Sequence, residues 1–554
     1  MCQHVSVTKR YQLLAVLIGL VTTNAVSAAT VVDLSHQPIS YLKPYFASQR
    51  GLTAGQLKFT RVRDDIDFNQ TAHIRLQQTY AGYPIWDATS VVHIPHATNN
   101  SDMFANADHT KINGLMYVGV EKDIANTSND VLSESQKARA LQSVTALNEQ
   151  QKSIKTIIYI DEHHQAHYAF LISFFVDDGE TGAHRPTVIM GADSFQIYRS
   201  WDQVLTKKSN NTEAIMLVTG GGIGGNEKIG ETVYDGDIAQ GYLTGFTMLY
   251  NPSFSTCTLE NDDIVVQDVA YGDGPVSQQC YASQDKHNNV YWLDWDNDET
   301  RWKDDEANGG YSPSLDALYS AVVVKKMYQD WYGVPVLTEE DGKTPMKLIM
   351  RVHYGRNFDN AFWDGHQMTF GDGGVKFYSL ASLDVGAHEI SHGFTMQHSN
   401  IDITQMQTLA LHESFSDMAA IAVQFYLTGK NRWDMGHNIM KNDDALRYLD
   451  DPKKDGHSID NMKYFNNDMD DPHLIAGIFN KAFYLIATSK GWDTHTAFNI
   501  MVKANMHYWT SSMQTLTEAA CGVLSATKDY NYNISDVSAA FSAVGIDTNG
   551  CEVH

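Results

Sequence analysis

Apolar and polar residues alternate along the first part of the chain in a way that predicts strands. Between Asp67 and Ile94, the segments "HIRLQQTY" and "YPIWDATSVVHI" alternate on either side of Ala81-Gly82. Two alternating segments joined by a short turn with glycine are typical of a β-hairpin. The runs "KTIIYI" and "HYAFLISFFV" predict a second hairpin, whereas Leu132 to Ile154 has the composition of a helix. We therefore expect an α+β domain here.

A helical period replaces the alternation beyond Ala387. The segment "HESFSDMAAIAVQFYLTG" repeats apolar residues at helical spacing and ends at Gly429. Three later segments, "AGIFNKAFYLIATSKGW", "TAFNIMVKANMHYW" and "ISDVSAAFSAVG", predict further helices. Before Ala387 we expect short strands to about Ala282, a helix from Ser314 to Trp331 and a buried strand within Pro345–Gly355. A mainly β lobe followed by a mainly α lobe predicts a cleft between the two.

The glycine-rich run "VTGGGIGGNEKIG", from Val218 to Gly230, is interpreted as a flexible junction between domains. A nucleotide-binding loop is the alternative, but no helix follows the run and no Lys-Ser/Thr pair comes after it. The expected domains are therefore residues 29–215, a β-rich lobe at 216–387 and a helical lobe at 388–554.

The N-terminus has the three parts of a secretory signal peptide. Lys9 and Arg10 precede the apolar run "LLAVLIGLV", and small residues follow as far as Ala28. A membrane anchor is the alternative, but this run is too short to span a bilayer. We expect residues 1–28 to be removed and the mature protein to be exported without a membrane anchor.

The charge balance excludes some classes of partner. The 554 residues include 40 Lys+Arg and 66 Asp+Glu, a formal net charge of −26. Such a surface argues against binding to nucleic acid or to an anionic membrane. Export also makes disulfides possible. Once Cys2 is removed with the signal, four cysteines allow three pairings, and the short loops favour Cys257 with Cys280 and Cys521 with Cys551.

The stretch "GAHEISHGF" contains the strongest chemical signal. His388 and His392 are four residues apart, which places both on one face of a helix, with Glu389 beside them. Glu413, 21 residues after His392, is the candidate third ligand on its own helix. Asp417, one turn later, can accept a hydrogen bond from the second ring nitrogen of His388. Two histidines, one glutamate and an open position predict a catalytic zinc site.

With these motifs, the sequence resembles the thermolysin family (type M4) of zinc metallopeptidases, and within it the pseudolysin-type secreted proteases of Gram-negative bacteria. The segment "AHIRLQQTYAGYPIW" is similar to the fungalysin/thermolysin propeptide motif. Segments similar to the catalytic domain follow in the family's order: "NEKIG", "YSPSLDALYSAVV", "VHYGRNFDNAFWDG", "FGDG", "LRYLDDPKKDGHSIDN" and "GIFNKAFYLIATSKGWDT".

The resemblance implies a two-lobed catalytic domain with one zinc ion in the cleft, preceded by an α+β propeptide. It also implies a monomeric endopeptidase that acts on proteins and peptides and is exported through the periplasm. Residues 29–215 would act as its intramolecular chaperone and inhibitor and be released by autocleavage. The alternative is a weakened zinc-binding pseudopeptidase that acts as a binding protein.

The resemblance also assigns roles in the reaction to individual residues. His388, His392 and Glu413 match the zinc ligands, and Glu389 matches the general base. His473 matches the histidine that stabilises the transition state, with Asp471 or Asp468 as the carboxylate that orients it.

Further matches concern substrate binding. Arg447 matches the arginine that holds a substrate carbonyl, and Asn360 and Ala361 match the edge that hydrogen-bonds the substrate backbone. Leu446 and Val385 fall where the family lines a hydrophobic pocket for the residue after the scissile bond. Gly386 matches a possible hinge, although glycine in a helix can equally indicate close packing.

Three departures from the family set this chain apart. Ile403 stands eleven residues after His392, where the family has a tyrosine that helps bind the oxyanion. Removal of one such donor lowers the rate about a hundredfold in other enzymes. His412 replaces the asparagine before the zinc glutamate, either as a change beside the site or as an extra ligand.

The third departure is the family's calcium site. Asp384 is present, but Ile421, Gln424 and Arg432 occupy positions where the family has acidic residues. Loss of these oxygen ligands predicts that calcium no longer binds. Our hypothesis is that Arg432 pairs with Asp384 in place of the ion.

Overall fold

The protein is described here from a computed structural model. It describes residues 29–553 except for 36, 47–56, 67–70, 96–102, 105–109, 125–128, 145–149, 162, 178–182, 185, 203–215, 235–242, 244, 252–255, 270–277, 283–290, 294–306 and 340. The expected signal peptide, residues 1–28, lies outside the described residues.

The N-terminal unit is built on a ten-stranded sheet. Its strands are β1 (Thr30–Asp33), β2 (Leu57–Ile66), β3 (Ala72–Tyr80), β4 (Tyr83–Ile94), β5 (Lys111–Val118), β6 (Gln150–Ile160), β7 (Ala166–Asp177), β8 (Ala183–His184), β9 (Pro186–Gly191) and β10 (Ile197–Asp202). Neighbours run in the order β1-β5-β4-β6-β7-β9-β10, while β2 pairs with β3 and β3 with β4. The helices are α1 (Lys43–Phe46), α2 (Val120–Ile124) and α3 (Glu134–Val144).

Both predicted hairpins are confirmed. In the first, Tyr80 pairs with Tyr83 across a turn in which Ala81 (φ 50°) and Gly82 (φ 88°) are both left-handed, as a two-residue hairpin turn requires. The second hairpin is β6–β7. The predicted helix over residues 132–154 is too long, because α3 ends at Val144 and β6 begins at Gln150. Pairing of β6 along β7 overrides the local preference of this segment.

The next part of the chain forms two smaller sheets and one long helix. The elements are β11 (Met216–Asn226), β12 (Gly230–Tyr234), β13 (Phe246–Asn251), β14 (Thr256–Thr258), β15 (Ile264–Asp268), β16 (Gln278–Ala282), β17 (Tyr291–Leu293), α4 (Pro313–Tyr332), β18 (Leu348–Tyr354), β19 (Ala361–Trp363) and β20 (Met368–Gly371). The sheet orders are β12-β11-β13-β14-β16-β17 and β15-β18-β20-β19. The predicted helix and buried strand here, α4 and β18, are confirmed.

The glycine-rich run is not a flexible junction, so that interpretation was wrong. It forms most of β11, the turn after it and the first residue of β12, and β11 pairs with β12 and with β13. Asp316 at the start of α4 approaches so closely that a Cβ on Gly224 would lie 2.2 Å from its Oδ1. The Asp316 carboxylate also accepts hydrogen bonds from Gly225 N at 2.9 Å and Tyr234 Oη at 2.7 Å. The glycines are required by this close approach.

The C-terminal part is helical and packs around α6. Its elements are α5 (Leu383–Gln397), α6 (Met406–Thr428), β21 (Asp434–Met435), β22 (Arg447–Tyr448), α7 (Pro472–Ala487), α8 (Thr494–Lys503), a π-helical turn (Ala504–Tyr508), α9 (Leu516–Asp529) and α10 (Ile534–Ala543). Helix α6 is buried from Ala410 to Val423 and ends at Gly429, whose φ of 66° permits the left-handed cap. A helix that is buried on all sides forms the centre of its lobe.

Helix α9 was missed by the sequence analysis, although its signals are present. Thr515 and Glu518 form a capping box, and Leu516, Ala519 and Val523 repeat at helical spacing. The other predicted helices of this lobe are confirmed. One hydrophobic core joins α4 of the β-rich lobe to α5 and α6. A Cβ on Gly386 would lie 2.2 Å from Ser320 Oγ, so Gly386 is a site of close packing between α4 and α5.

The fold class is therefore α+β, as predicted, with a sheet unit followed by a two-lobed domain. None of the helices between residues 29 and 553 that the structure describes is long and apolar enough to cross a membrane. Both expected disulfides are formed, Cys257–Cys280 within the β-rich lobe and Cys521–Cys551 between α9 and the C-terminus.

We expect the Cys521–Cys551 bond to stabilise the helical lobe, because it closes a loop with a sequence separation of 30. Replacement of both cysteines by serine should cost about 3 kcal/mol, which corresponds to a fall of roughly 5–10 °C in the thermal midpoint. Calorimetry of the full chain measures this change. Added thiol should lower the midpoint further only through Cys257–Cys280, and an unchanged midpoint in the double variant would contradict the expectation.

Candidate active site

The candidate zinc ligands converge at the crossing of α5 and α6. Ser382 caps the N-terminus of α5 by accepting from Val385 N, and the helix then presents His388 and His392 on one face. Their Nε2 atoms lie 3.1 Å apart. Glu413 Oε2 on α6 lies 3.2 Å from Nε2 of His388 and 3.7 Å from that of His392.

This donor set fits a zinc ion. Glu413 Oε2 is buried and lies within 3.7 Å of the Nε2 atoms of both His388 and His392, an arrangement of a buried carboxylate that a shared cation stabilises. Although burial alone would raise it, the neighbouring imidazoles, first His392 and then His388 and His473, hold the pKa of Glu413 well below its ordinary value. Within the described chain these three residues are the one group of His, Cys, Asp or Glu side chains arranged to hold a metal ion. Two imidazole nitrogens and one carboxylate oxygen match the ligands that catalytic zinc prefers.

Asp417 orients the candidate ligand His388 by accepting a hydrogen bond from its second ring nitrogen. Its carboxylate accepts from His388 Nδ1 at 3.0 Å, from Arg447 Nε at 2.7 Å and Nη2 at 2.6 Å, and from Asn480 Nδ2 at 2.8 Å. Burial opposes its charge, but the Arg447 guanidinium and His388 hold the pKa of Asp417 below its ordinary value. With Nδ1 donating to Asp417, His388 directs Nε2 at the metal position. Asn480 was missed by the sequence analysis, because only the packing of α7 against α6 brings it here.

His473 approaches from the opposite side of the cleft. It lies in the first turn of α7, and its Nε2 is 3.2 Å from Glu413 Oε2. Of the two carboxylates considered for it, Asp471 is the one in contact, since His473 Nδ1 lies 2.8 Å from Asp471 Oδ1. Asp471 is also the N-cap of α7. Burial lowers the pKa of His473, but the Glu413 and Asp471 carboxylates together raise it above its ordinary value.

His412 lies beside the ligands and does not join them. Its Nδ1 is 2.6 Å from Nδ1 of His392, and the two rings stack with centroids 4.8 Å apart. Burial lowers the pKa of His412 to about 4, so the ring is neutral at pH 7. If Nε2 of His392 binds the metal, its Nδ1–H donates to His412 Nδ1. The proton of His412 then lies on Nε2, a buried atom without a partner in the described structure.

The remaining candidates line one cleft with a volume of 370 Å³. It brings together Glu389 and the predicted substrate-binding residues, namely Asn360, Ala361, Val385, Leu446 and Arg447, together with Ile403. Burial raises the pKa of Glu389 to about 7. A bound cation would act in the opposite sense and favour the carboxylate. Every candidate substrate contact thus faces the candidate base.

The hypothesis that Arg432 replaces calcium was wrong. Arg432 is half exposed and pairs with Asp434, with Nη2 3.2 Å from Oδ2. Asp384 accepts instead from Gly436 N at 2.7 Å, from Ser382 Oγ at 2.6 Å and from Val385 N at 3.0 Å. Backbone and hydroxyl donors satisfy this carboxylate because it lies beside the N-terminus of α5.

Comparison with known proteins identifies the family of the chain. The models described as "Thermolysin metallopeptidase, catalytic domain" and "Thermolysin metallopeptidase, alpha-helical domain" match residues 241–396 and 404–546. The model described as "Fungalysin/Thermolysin Propeptide Motif" matches residues 56–96.

Similar proteins extend along most of the chain. The zinc metalloproteinase of Legionella pneumophila is 38% identical over 98% of both chains. The hemagglutinin/proteinase of Vibrio cholerae is 34% identical over 87% of this chain and 72% of that protein. The neutral protease of Vibrio proteolyticus is 33% identical over 87% and 72%. The chain therefore belongs to the thermolysin family of zinc metallopeptidases and carries the propeptide motif of that family ahead of its catalytic domain.

Proposed function

We propose that this protein is a secreted zinc endopeptidase made as a zymogen, with His388, His392 and Glu413 as the zinc ligands and Glu389 as the general base. The observation that carries the proposal is the convergence of the buried Oε2 of Glu413 and two imidazole nitrogens in the cleft that contains Glu389.

The proposal includes processing. Residues 1–28 are a signal peptide for export through the periplasm, and residues 29–215 are a propeptide that assists folding, inhibits the enzyme and is removed by autocleavage. Residues 216–387 and 388–554 form the mature lobes. The propeptide motif at residues 56–96 supports this division.

Zinc, when bound, supplies a Lewis acid for the scissile carbonyl and lowers the pKa of its water. Glu389 takes a proton from the attacking water on its carboxylate and passes it to the leaving nitrogen. His473 donates from Nδ1 to Asp471, and the Glu413 and Asp471 carboxylates favour the ring that also has a proton on Nε2. That N–H donates to the oxyanion from the far side of the cleft.

Substrate selection follows from the walls of the cleft. Strand β19, which contains Ala361, is an edge strand of its sheet. An extended peptide can therefore add to it through main-chain hydrogen bonds. Val385 and Leu446 line the same cleft together with Phe377, Leu380 and Met435. This apolar wall supports a preference for a hydrophobic residue after the scissile bond.

We expect Glu389→Gln to lower kcat on casein by at least about a thousandfold, because the amide cannot accept the water proton. The substitution keeps the shape of the side chain, so bound zinc, measured by atomic absorption, should stay at one ion per chain. If wild-type protein binds zinc and yet cleaves casein no faster than this variant, the protein is the binding protein of the alternative hypothesis.

We expect His412 to hold the ring of His392 through its Nδ1 acceptor. His412→Leu removes the acceptor and should weaken zinc binding about 10- to 100-fold, as loss of such partners does elsewhere. His412→Asn restores an acceptor oxygen and should bind zinc within a few-fold of wild type. Competition with a chelator gives both affinities, and equal affinities for the Leu and Asn variants would exclude this role.

We expect Ile403→Tyr to raise kcat by roughly tenfold to a hundredfold, because the phenol adds a donor for the oxyanion. KM should change little, since the donor acts in the transition state. Ile403→Phe is the matched control, with the ring but without the hydroxyl. Steady-state kinetics on a peptide substrate that give the same gain for both variants would assign the effect to ring packing.

A further inference from the structure

The sheet of the N-terminal unit has two buried faces. Ile74 and Leu76 on β3 and Val92 on β4 lie in the core of that unit. The alternate positions point the other way and are also buried, although they are polar, since His73 is 2% exposed and His93 5%. We call this second surface the latch face and define it as His73, Arg75, Thr89, His93 and Asn113. An alternating strand normally turns its polar positions to water, so a buried polar face indicates a partner.

That partner is the π-helical turn Ala504–Tyr508 and the residues after it. Arg75 Nη2 donates to the carbonyl oxygens of Met506 at 3.1 Å and Trp509 at 3.4 Å. Asn113 Nδ2 donates to Tyr508 O at 2.9 Å. The last carbonyls of a helix lack partners within the helix, and here donors of the latch face supply them. Thr89 Oγ1 lies 2.7 Å from Ser511 Oγ, which extends the contact.

Three histidines meet in this contact. The ring of His73 stacks on His507, with centroids 3.7 Å apart and planes inclined by 19°. His73 Nδ1 is 2.9 Å from His93 Nδ1. His93 Nε2 is 2.6 Å from Asn113 Oδ1, and its ring lies over Tyr508 at 5.0 Å. Since His507 is 4% exposed, all three rings are withdrawn from water.

The hydrogen bonds of this cluster use the neutral form of His93. Asn113 gives its amide N–H to Tyr508 O, which fixes its oxygen toward His93 Nε2. His93 therefore donates from Nε2 and keeps a lone pair on Nδ1, which accepts from His73 Nδ1. A proton added at His93 Nδ1 would place two N–H donors 2.9 Å apart. A proton on His93 Nδ1 therefore breaks this hydrogen bond as long as His73 donates from Nδ1.

The charged groups around the cluster are mainly cationic. Burial is the main cause that lowers the pKa of His507 well below its ordinary value. Nearby basic groups act in the same direction, namely His73, Lys503, His93 and His398. Burial also lowers the pKa of His398, with Arg63 and Arg75 of the N-terminal unit acting in the same direction.

Acidic residues near these elements include Asp529 and, by backbone register, Asp65. Asp529 lies 3.2 Å from the Lys503 ammonium and accepts from Tyr508 Oη, so it is already paired. Asp65 is opposite His73 in strand register. Because Asp65 belongs to the same sheet as His73, it accompanies that histidine whether or not the two units are docked.

We propose that the latch face holds the propeptide on the catalytic domain while His93 and His507 are neutral, and that acid releases it. The inference rests on the proposed role of residues 29–215 as a propeptide. Separation exposes the rings to water, where a histidine has a pKa of about 6.5. Above that pH the equilibrium constant for docking keeps its full value. Below it the constant falls by up to about tenfold per pH unit for each histidine that gains a proton.

A second link joins the same two units through other residues. Arg199 Nη2 lies 3.2 Å from Asp402 Oδ2, and its Nη1 lies 3.5 Å from Asp87. Burial raises the pKa of Asp87 to about 7, so acid neutralises it in the docked state and opposes release there. A pH scan alone would combine the two effects, and substitution of histidines separates them.

The test uses the full chain with Glu389→Gln, which cannot cleave itself and therefore reports docking independently of catalysis. Hydrogen exchange of amides 504–511, corrected for the intrinsic rate, is followed from pH 7.5 to 5.5. We expect protection to fall about a hundredfold over this range if two histidines titrate. In the background of His93→Gln with His507→Phe, protection should vary by less than threefold. His457→Gln, at an exposed histidine of the catalytic domain, is the matched control and should behave as the parent chain.

The proposal is overturned if protection in the parent chain is constant or rises toward pH 5.5, or if the double variant loses protection as steeply as the parent. If the double variant does not dock at pH 7.5, the single variant His507→Phe becomes the test, because it keeps an aromatic ring against His73. Between pH 7.5 and 5.5, this single variant must then lose at least about fivefold less protection than the parent chain, because one fewer histidine gains a proton. A loss equal to that of the parent contradicts the latch.

Discussion

The buried carboxylate of Asp417 is the interaction on which the active site depends. It accepts from His388 on α5, from Arg447 on β22 and from Asn480 on α7. A carboxylate withdrawn from water is stable only when its partners are all in place. The orientation of the proposed zinc ligand His388, the position of Arg447 and the packing of α7 on α6 therefore depend on one another. The site belongs to the whole helical lobe.

A similar requirement joins the two units of the chain. The latch face offers side-chain donors, and the end of the π-helical turn offers main-chain acceptors. Each set would be hydrated if the units were apart, so docking exchanges hydrogen bonds to water for hydrogen bonds to protein, with a modest net gain. A change in the charge of the histidines therefore acts on contacts that each contribute little net free energy to docking.

Local signals predicted much of the fold. The β3–β4 hairpin, helix α4 and the end of α6 at Gly429 follow from alternation, helical spacing and turn chemistry. The errors occurred where distant contacts decide the structure. The glycines of β11 were interpreted as a flexible junction, whereas the close approach of Asp316 accounts for Gly224. Arg432 was paired with Asp384 on the basis of charge alone, whereas the N-terminus of α5 and Gly436 N already satisfy that carboxylate.

The sequence by itself determined the spacing of His388 and His392, since residues four apart on a helix share a face whatever the rest of the chain does. It also determined the candidates for the third ligand and for the base. Only the tertiary structure decided that Asp471 and not Asp468 contacts His473, that His412 pairs with His392, and that polar strand positions face a partner instead of water. Helix geometry is local and repeats every few residues, whereas these contacts join residues far apart in the chain, and the packing of complete elements sets them.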